Sequence, residues 1–190
     1  MGPQRNREAR PNVLIGILRV ARGRRDGLTQ FGSTTQSFLA SLAPLIAFPL
    51  VGGVMMLASG AGAQALTDLF ATACALLAPP ALSYELARLW GREAHWLRFA
   101  TAFNWCQWIL PLAGSALLIV LSTAIAVGLS EHAASIVLII GLGCYALWMH
   151  WFLARHGLDL PAGRAALLVL GVNLATVLLV IGPRLLMLNQ

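Results

Sequence analysis

Five uninterrupted apolar runs, at 38–59, 66–89, 100–129, 133–154 and 162–187, limit what this chain can fold into more than any other feature. About 20 residues of α-helix cross the roughly 30 Å of hydrocarbon in a bilayer, and each run reaches that length. A backbone inside hydrocarbon must satisfy its own N–H and C=O groups, so such runs become helices. The expected fold is therefore all-α, a polytopic membrane helix bundle of five transmembrane helices. Composition rules out a soluble alternative: 58% of the residues are hydrophobic and only 11% charged, whereas a soluble domain carries about 25% charged residues. Too few polar side chains remain to cover a water-facing surface. The third run is long enough to tilt, or to break near Pro111, and it counts as one span because two pieces would each be too short to cross.

Arginine placement sets the expected orientation. The net charge of +6 comes with 13 basic residues, all of them Arg, and they collect at the ends of apolar runs rather than on one soluble face. No nucleic-acid partner is expected from that pattern. Arg5, Arg7, Arg10, Arg19, Arg22, Arg24 and Arg25 precede the first run; Arg88, Arg92 and Arg98 lie in the loop region from the end of the second run to the third; Arg155 and Arg164 lie in that from the fourth to the start of the fifth. Loops near Gly60 and Ser130 contain none. Short loops rich in Arg stay in the cytoplasm, which places the amino terminus inside, the carboxyl terminus outside, and only Arg184 on the outer side. Trp90, Trp96, Trp105, Trp108, Trp148 and Trp151 all fall near the same ends, as indoles at a membrane interface do.

Residues 1–36 form a basic amino-terminal segment ahead of a transmembrane domain at 37–190. Within the segment Val13, Leu14, Ile17, Leu18 and Ala21 recur at helical spacing, opposite Arg19, Arg22 and Arg25. A short interfacial amphipathic helix is expected there, with Arg19, Arg22, Arg24 and Arg25 facing anionic lipid. A flexible basic tail is the plainer alternative. The small residues at 58–63 resemble a signal-peptide cleavage site, but the apolar run before them is longer, and its basic leader far longer, than a signal peptide has, so the run is expected to remain as a span.

Polar side chains inside spans are expensive and are the first candidates for function. Glu85 and Arg88 are one turn apart near the end of the second run; Asn104 and Gln107 have the same spacing in the third; His150 lies about a turn inside the fourth. Their shared depth predicts that all five converge. Two readings stand, interhelical hydrogen-bond partners or a site for a solute, ion or proton. Asn173, alone near the middle of the fifth run, is expected to bond a neighbouring helix. Asp68 and Glu131, with His132, read as caps at helix starts. Cys74, Cys106 and Cys144 are isolated, without metal-ligand or disulfide spacing, and read as small packing residues. No Gly-x-Ser-x-Gly elbow, His-Glu-x-x-His pair or phosphate-binding loop is present, and His95, His132 and His156 lie at loops or ends, unsuited to haem. Neither catalysis, a metal nor a cofactor is expected.

The series Ala43-Pro44-Leu45-Ile46-Ala47, Ala87-Arg88-Leu89-Trp90-Gly91-Arg92, Ala102-Phe103-Asn104-Trp105 and Leu110-Pro111-Leu112, behind a basic amphipathic start, resembles bacterial inner-membrane proteins of the Yip1-like type. The resemblance covers most of the chain in layout and implies five spans, a cytoplasmic amino terminus and a very short carboxyl end. The Asp-Leu-x-Gly-Pro and Gly-Tyr-x-x-x-Pro signatures of the eukaryotic members are missing, with Gly143-Cys144-Tyr145 a poor substitute, so no trafficking role is implied. The expected function is that of a non-enzymatic inner-membrane protein that organises or partners other membrane components. Its expected partners are membrane lipids, other membrane proteins or further copies of itself. The alternative is a small permease or transporter subunit with a shallow polar site on the cytoplasmic side.

Overall fold

A computed structural model describes residues 12–60 and 62–187, apart from the side chains of residues 63–65, 68, 180 and 182–187. Arg5, Arg7 and Arg10, and the side chains of Asp68 and Arg184, on which the topology and capping expectations partly rest, lie outside that description. The described residues form helices and no strand: α1 (Val13–Ala21), a 3-10 helix (Arg25–Gln30), α2 (Thr35–Ala58), α3 (Gly62–Leu89), α4 (Glu93–Cys106), α5 (Ile109–Ala126), α6 (Glu131–Gly157) and α7 (Ala162–Met187). Five units are long and apolar enough to cross a membrane, with α4 and α5 counting together as one. The chain is a multi-pass membrane helix bundle.

Local chemistry sets the helix ends. Asn12, Thr34 and Ser130 cap α1, α2 and α6 by accepting from the amides of Ile15, Ser37 and Ala133 at 3.1–3.2 Å, which satisfies donors that a helix start leaves free. At the other end of α3 the chain closes through Gly91, whose φ of +65° only glycine adopts without cost. There Gly91 N–H donates to Arg88 O and Arg92 N–H to Ala87 O, at 3.1 and 2.7 Å. This paired closure stops the helix within a turn and lets α4 begin at once.

The third span differs from the expected 100–129. Its helix starts at Glu93 and breaks at Gln107–Trp108. Pro111 is the physical reason: it has no N–H to offer the Gln107 carbonyl, and Leu110 N–H donates to that oxygen instead, at 3.2 Å. The turn tightens and the axis changes direction. Pro44, Pro49, Pro79 and Pro80 leave their helices continuous.

Packing follows from that break. α3 lies between α2 and α7, α7 packs on α6, and α6 on α5, while α4 runs up the middle against α2, α3 and α6. Beyond the break α5 turns outward and packs on α6. Burial is concentrated at the end of the bundle that carries the described arginines. Phe99, Ala102, Cys106, Met149, Leu153 and Leu168 form its centre, whereas Gly53, Leu121 and Ala134 are among the few buried residues toward the opposite end. Cys106 is part of this core; Cys74 and Cys144 are exposed.

The amino-terminal segment shares the same core. Val20, Leu28 and Phe31 are buried in it, with Val13, Ile17 and Ala21 packed against it, and Tyr145 Oη donates to the Ala21 carbonyl at 3.2 Å. The apolar stripe of α1 is thereby divided. Its Val13, Ile17 and Val20 side meets the bundle, while Leu14, Ile15 and Leu18 are exposed.

Candidate functional site

Where α4 ends, the middle of the bundle is left unfilled. A cavity of about 300 Å³ opens there, walled by Leu45 of α2, Leu76 and Pro79 of α3, Phe103 of α4 and Leu168 and Val172 of α7. Three residues singled out by spacing meet on its wall: Asn104, Gln107 and His150. Asn104 is 3% exposed and donates through Nδ2 to Ser41 Oγ at 3.0 Å, which in turn donates to Phe38 O at 2.6 Å. Gln107 Nε2 lies 3.4 Å from His150 Nε2, a long contact by hydrogen-bond standards. His150, 8% exposed, packs its ring tilted at 40° and 4.7 Å from that of Phe103, and its Nδ1 is buried with no partner.

Glu85 and Arg88 do not join them. They pair with each other at 2.8 Å, about 60% exposed, because the end of α3 turns Ser83 and Ala87 inward and so points Glu85 and Arg88 away. The convergence expected of five residues is therefore a convergence of three, from α4 and α6.

Asn173 also lines the cavity, but its Nδ2 donates to Val169 O of its own helix at 2.7 Å rather than to a neighbour. Thr176 beside it donates to Val172 O at 2.8 Å. In each amide the nitrogen is engaged, while the oxygens of Asn104, Gln107 and Asn173 accept nothing from the described residues. The cavity thus offers three neutral acceptors on an apolar wall, with no carboxylate, thiol or serine among its lining residues.

Sequence reasoning missed Ser41, Thr176 and Trp108. Ser41 was detectable, since a buried amide needs a partner and Ser41 lies at matching depth in α2. Trp108, expected from the sequence only as an interface indole, sits at the break and packs 5.2 Å from Phe48, with its Nε1 buried and without a partner. Other indoles are satisfied internally, Trp96 by Ser83 Oγ at 3.1 Å and Trp151 by Ala162 O at 3.2 Å.

The basic segment folds around a carboxylate that sequence reading passed over. Asp26, the only acid among Arg19, Arg22, Arg24 and Arg25, takes Arg24 at 2.9 Å and Arg19 at 3.1 Å. The Arg24 hydrogen bond holds the Asp26 carboxyl below its usual range. A carboxylate whose folded pKa is lowered stabilises the fold above its unfolded value and loses that contribution as pH falls through the folded one. Amide protection in Arg25–Gln30, taken relative to the intrinsic exchange rate at each pH, is accordingly expected to drop on acidification below the ordinary carboxylate range, and Asp26→Asn to remove that response. Equal acid sensitivity in the variant would assign it to another group.

The fold and the cavity define a class, a multi-pass membrane helix bundle with a small, neutral, mostly apolar pocket at the break of its third span. No protein-family model matches the chain, and neither a curated protein nor a solved structure matches it.

Proposed function

We propose that this is a non-enzymatic inner-membrane protein that partners other membrane components by binding, and that its bundle holds a small neutral amphiphile with a hydrogen-bond donor at its head. The observation that carries this reading is the set of free amide oxygens of Asn104, Gln107 and Asn173 on the apolar wall of a cavity of about 300 Å³. These oxygens open onto the cavity, and a hydroxyl or amide head would donate to one or two of them while its apolar body lay along Leu45, Leu76 and Val172. The volume is at the small end of ligand pockets. The outward Leu14, Ile15 and Leu18 of α1 favour contact with the inner leaflet, in keeping with a cytoplasmic amino terminus. The Yip1-like layout is compatible with this role and adds no ligand to it.

1-Octanol, a hydroxyl on an apolar body, is a suitable probe, with octane as its control. Octanol is expected to raise the melting temperature of the purified protein in detergent and octane to do so far less. Gln107→Leu with Asn173→Leu should weaken octanol binding several-fold, up to about tenfold, on losing acceptors for the one hydrogen bond that its hydroxyl donates. Equal binding of octanol and octane, or of neither, would overturn the reading. The break between α4 and α5 supports a second reading, a small permease or transporter subunit. In that case the purified protein should carry its ligand across proteoliposomes, whereas a binding protein gives saturable binding without flux.

A further inference from the structure

A second cavity, of about 510 Å³, lies at the arginine-bearing end, where the 3-10 helix, the start of α4 and the end of α6 meet. Its chemistry is opposite to that of the first. Arg25, Arg98, His95 and His156 line it, with the hydroxyls of Thr29 and Ser33. Asp159 is its one carboxylate, and Arg92 engages it at 3.2 Å. Asp26 nearby is held by Arg19 and Arg24. Asp159 and Asp26 are thus taken by other arginines, Glu93 at the start of α4 is not among the lining residues, and among the described residues neither Arg25 nor Arg98 has an ion-pair partner. Two unneutralised guanidinium groups facing one cavity repel each other unless an anion lies between them.

The walls are held in place. Gly157 lets α6 approach α4 so closely that a Cβ there would stand 3.1 Å from the Phe99 ring, and His156 and Arg98 line the same cavity. Buried Leu28 and Phe31 fix the 3-10 helix that carries Arg25. The start of α4 and the end of α6 both border the cavity, so their dipoles offset and the side chains set the field. Planar guanidinium forks match phosphate oxygens in pairs. The cavity sits where α4 enters the bundle, at its arginine-bearing end, at the level of a headgroup layer.

We infer that this cavity is a phosphate-binding site, filled by the phosphodiester of an anionic phospholipid headgroup clasped between Arg25 and Arg98. It does not depend on the reading of the first cavity. The test is native mass spectrometry and thermal melting of the full chain with phosphatidylglycerol, with phosphatidylcholine, and with inorganic phosphate. Phosphatidylglycerol should be retained and raise the melting temperature, and phosphatidylcholine should not. Arg25→Gln with Arg98→Gln should weaken phosphatidylglycerol binding by about tenfold or more. Arg22→Gln with Arg88→Gln removes the same charge outside the cavity and should weaken it by less than about threefold. Should the cavity double variant fold poorly, Arg25→Lys with Arg98→Lys, which keeps the charge and loses the forks, is expected to show an intermediate loss. Inorganic phosphate that binds in an Arg98-dependent way without lipid preference would keep the phosphate site and assign it to a soluble phosphate. Equal losses in both Gln double variants, or no preference for any net-anionic phosphate ligand over zwitterionic phosphatidylcholine, would overturn the site.

Discussion

Gly27→Val is expected to detach the amino-terminal helices from the bundle. A Cβ at Gly27 would stand 2.8 Å from Arg19 Cβ, 2.9 Å from the Gly16 carbonyl oxygen and 3.0 Å from Val20 N, so two of its three neighbours are backbone of α1. Backbone in a capped helix has little room to give. Overpacking of this kind typically costs about 1–3 kcal/mol, and the two further methyls of valine push toward the upper end. The contact is reciprocal, since a Cβ on Gly16 would meet Gln30 Cβ and the Phe31 ring at 2.9 Å. Phe31 itself is 2% exposed, and Phe31→Ala should cost about 3–5 kcal/mol. Gly52 has nothing within 4 Å of its Cβ position, so Gly52→Ala, as a control, should be near neutral. Amide exchange over residues 12–31 reads the outcome: both test variants should lose protection there ahead of α6 and α7. Undiminished protection in Gly27→Val would mean that the α1 contact does not hold the segment. Because Arg25 stands on that segment, its release should also weaken the retention of phosphatidylglycerol.

What the sequence made legible follows from which forces act locally. Apolar length and arginine position are one-dimensional signals, and four of the five spanning units fall within a few residues of where those signals place them, the fifth expected at 162–187 and found as Ala162–Met187, while the third begins earlier, at Glu93. Depth is nearly one-dimensional too, which is why Asn104, Gln107 and His150 share a wall. Rotation about a helix axis is not readable from depth. Ser83 and Ala87, small and unremarked, hold the inward face of α3 and turn Glu85 and Arg88 away. The same gap explains Asn173: an amide can satisfy itself on the carbonyl four residues back, and nothing in the spacing tells that bond from one to a neighbour. The break before Pro111 was legible as a possibility, but its consequence, a central helix that stops and leaves a cavity, depends on which helices surround it. Asp26 was passed over because one acid among several arginines reads as dilution of charge, whereas in three dimensions it gathers Arg19 and Arg24.

A reporter enzyme that works only outside the cytoplasm, fused after Gln190, is expected to be active, and the same reporter placed in the turn after Gly157 to be silent. The effect is all-or-none, because it reads which side of the membrane a loop occupies. The argument rests on the arginines: all but Arg184 of the 13 basic residues belong to segments that an odd number of crossings leaves on one side, and short arginine-rich segments resist translocation. The break in the third span is the one feature that bears on the count. α4 has 14 residues and α5 has 18, about 21 and 27 Å at 1.5 Å per residue, so α4 alone is too short to cross and the two together make one passage with a bend. A reporter after Gly128, beyond α5, should therefore be active like the one after Gln190. If the Gly128 and Gln190 fusions are both silent and the Gly157 fusion is active, α4 and α5 enter and leave on the same side. If a fluorescent reporter that works only in the cytoplasm lights at Gln190, the five-crossing arrangement is wrong altogether, and the basic cavity loses its place against the inner leaflet.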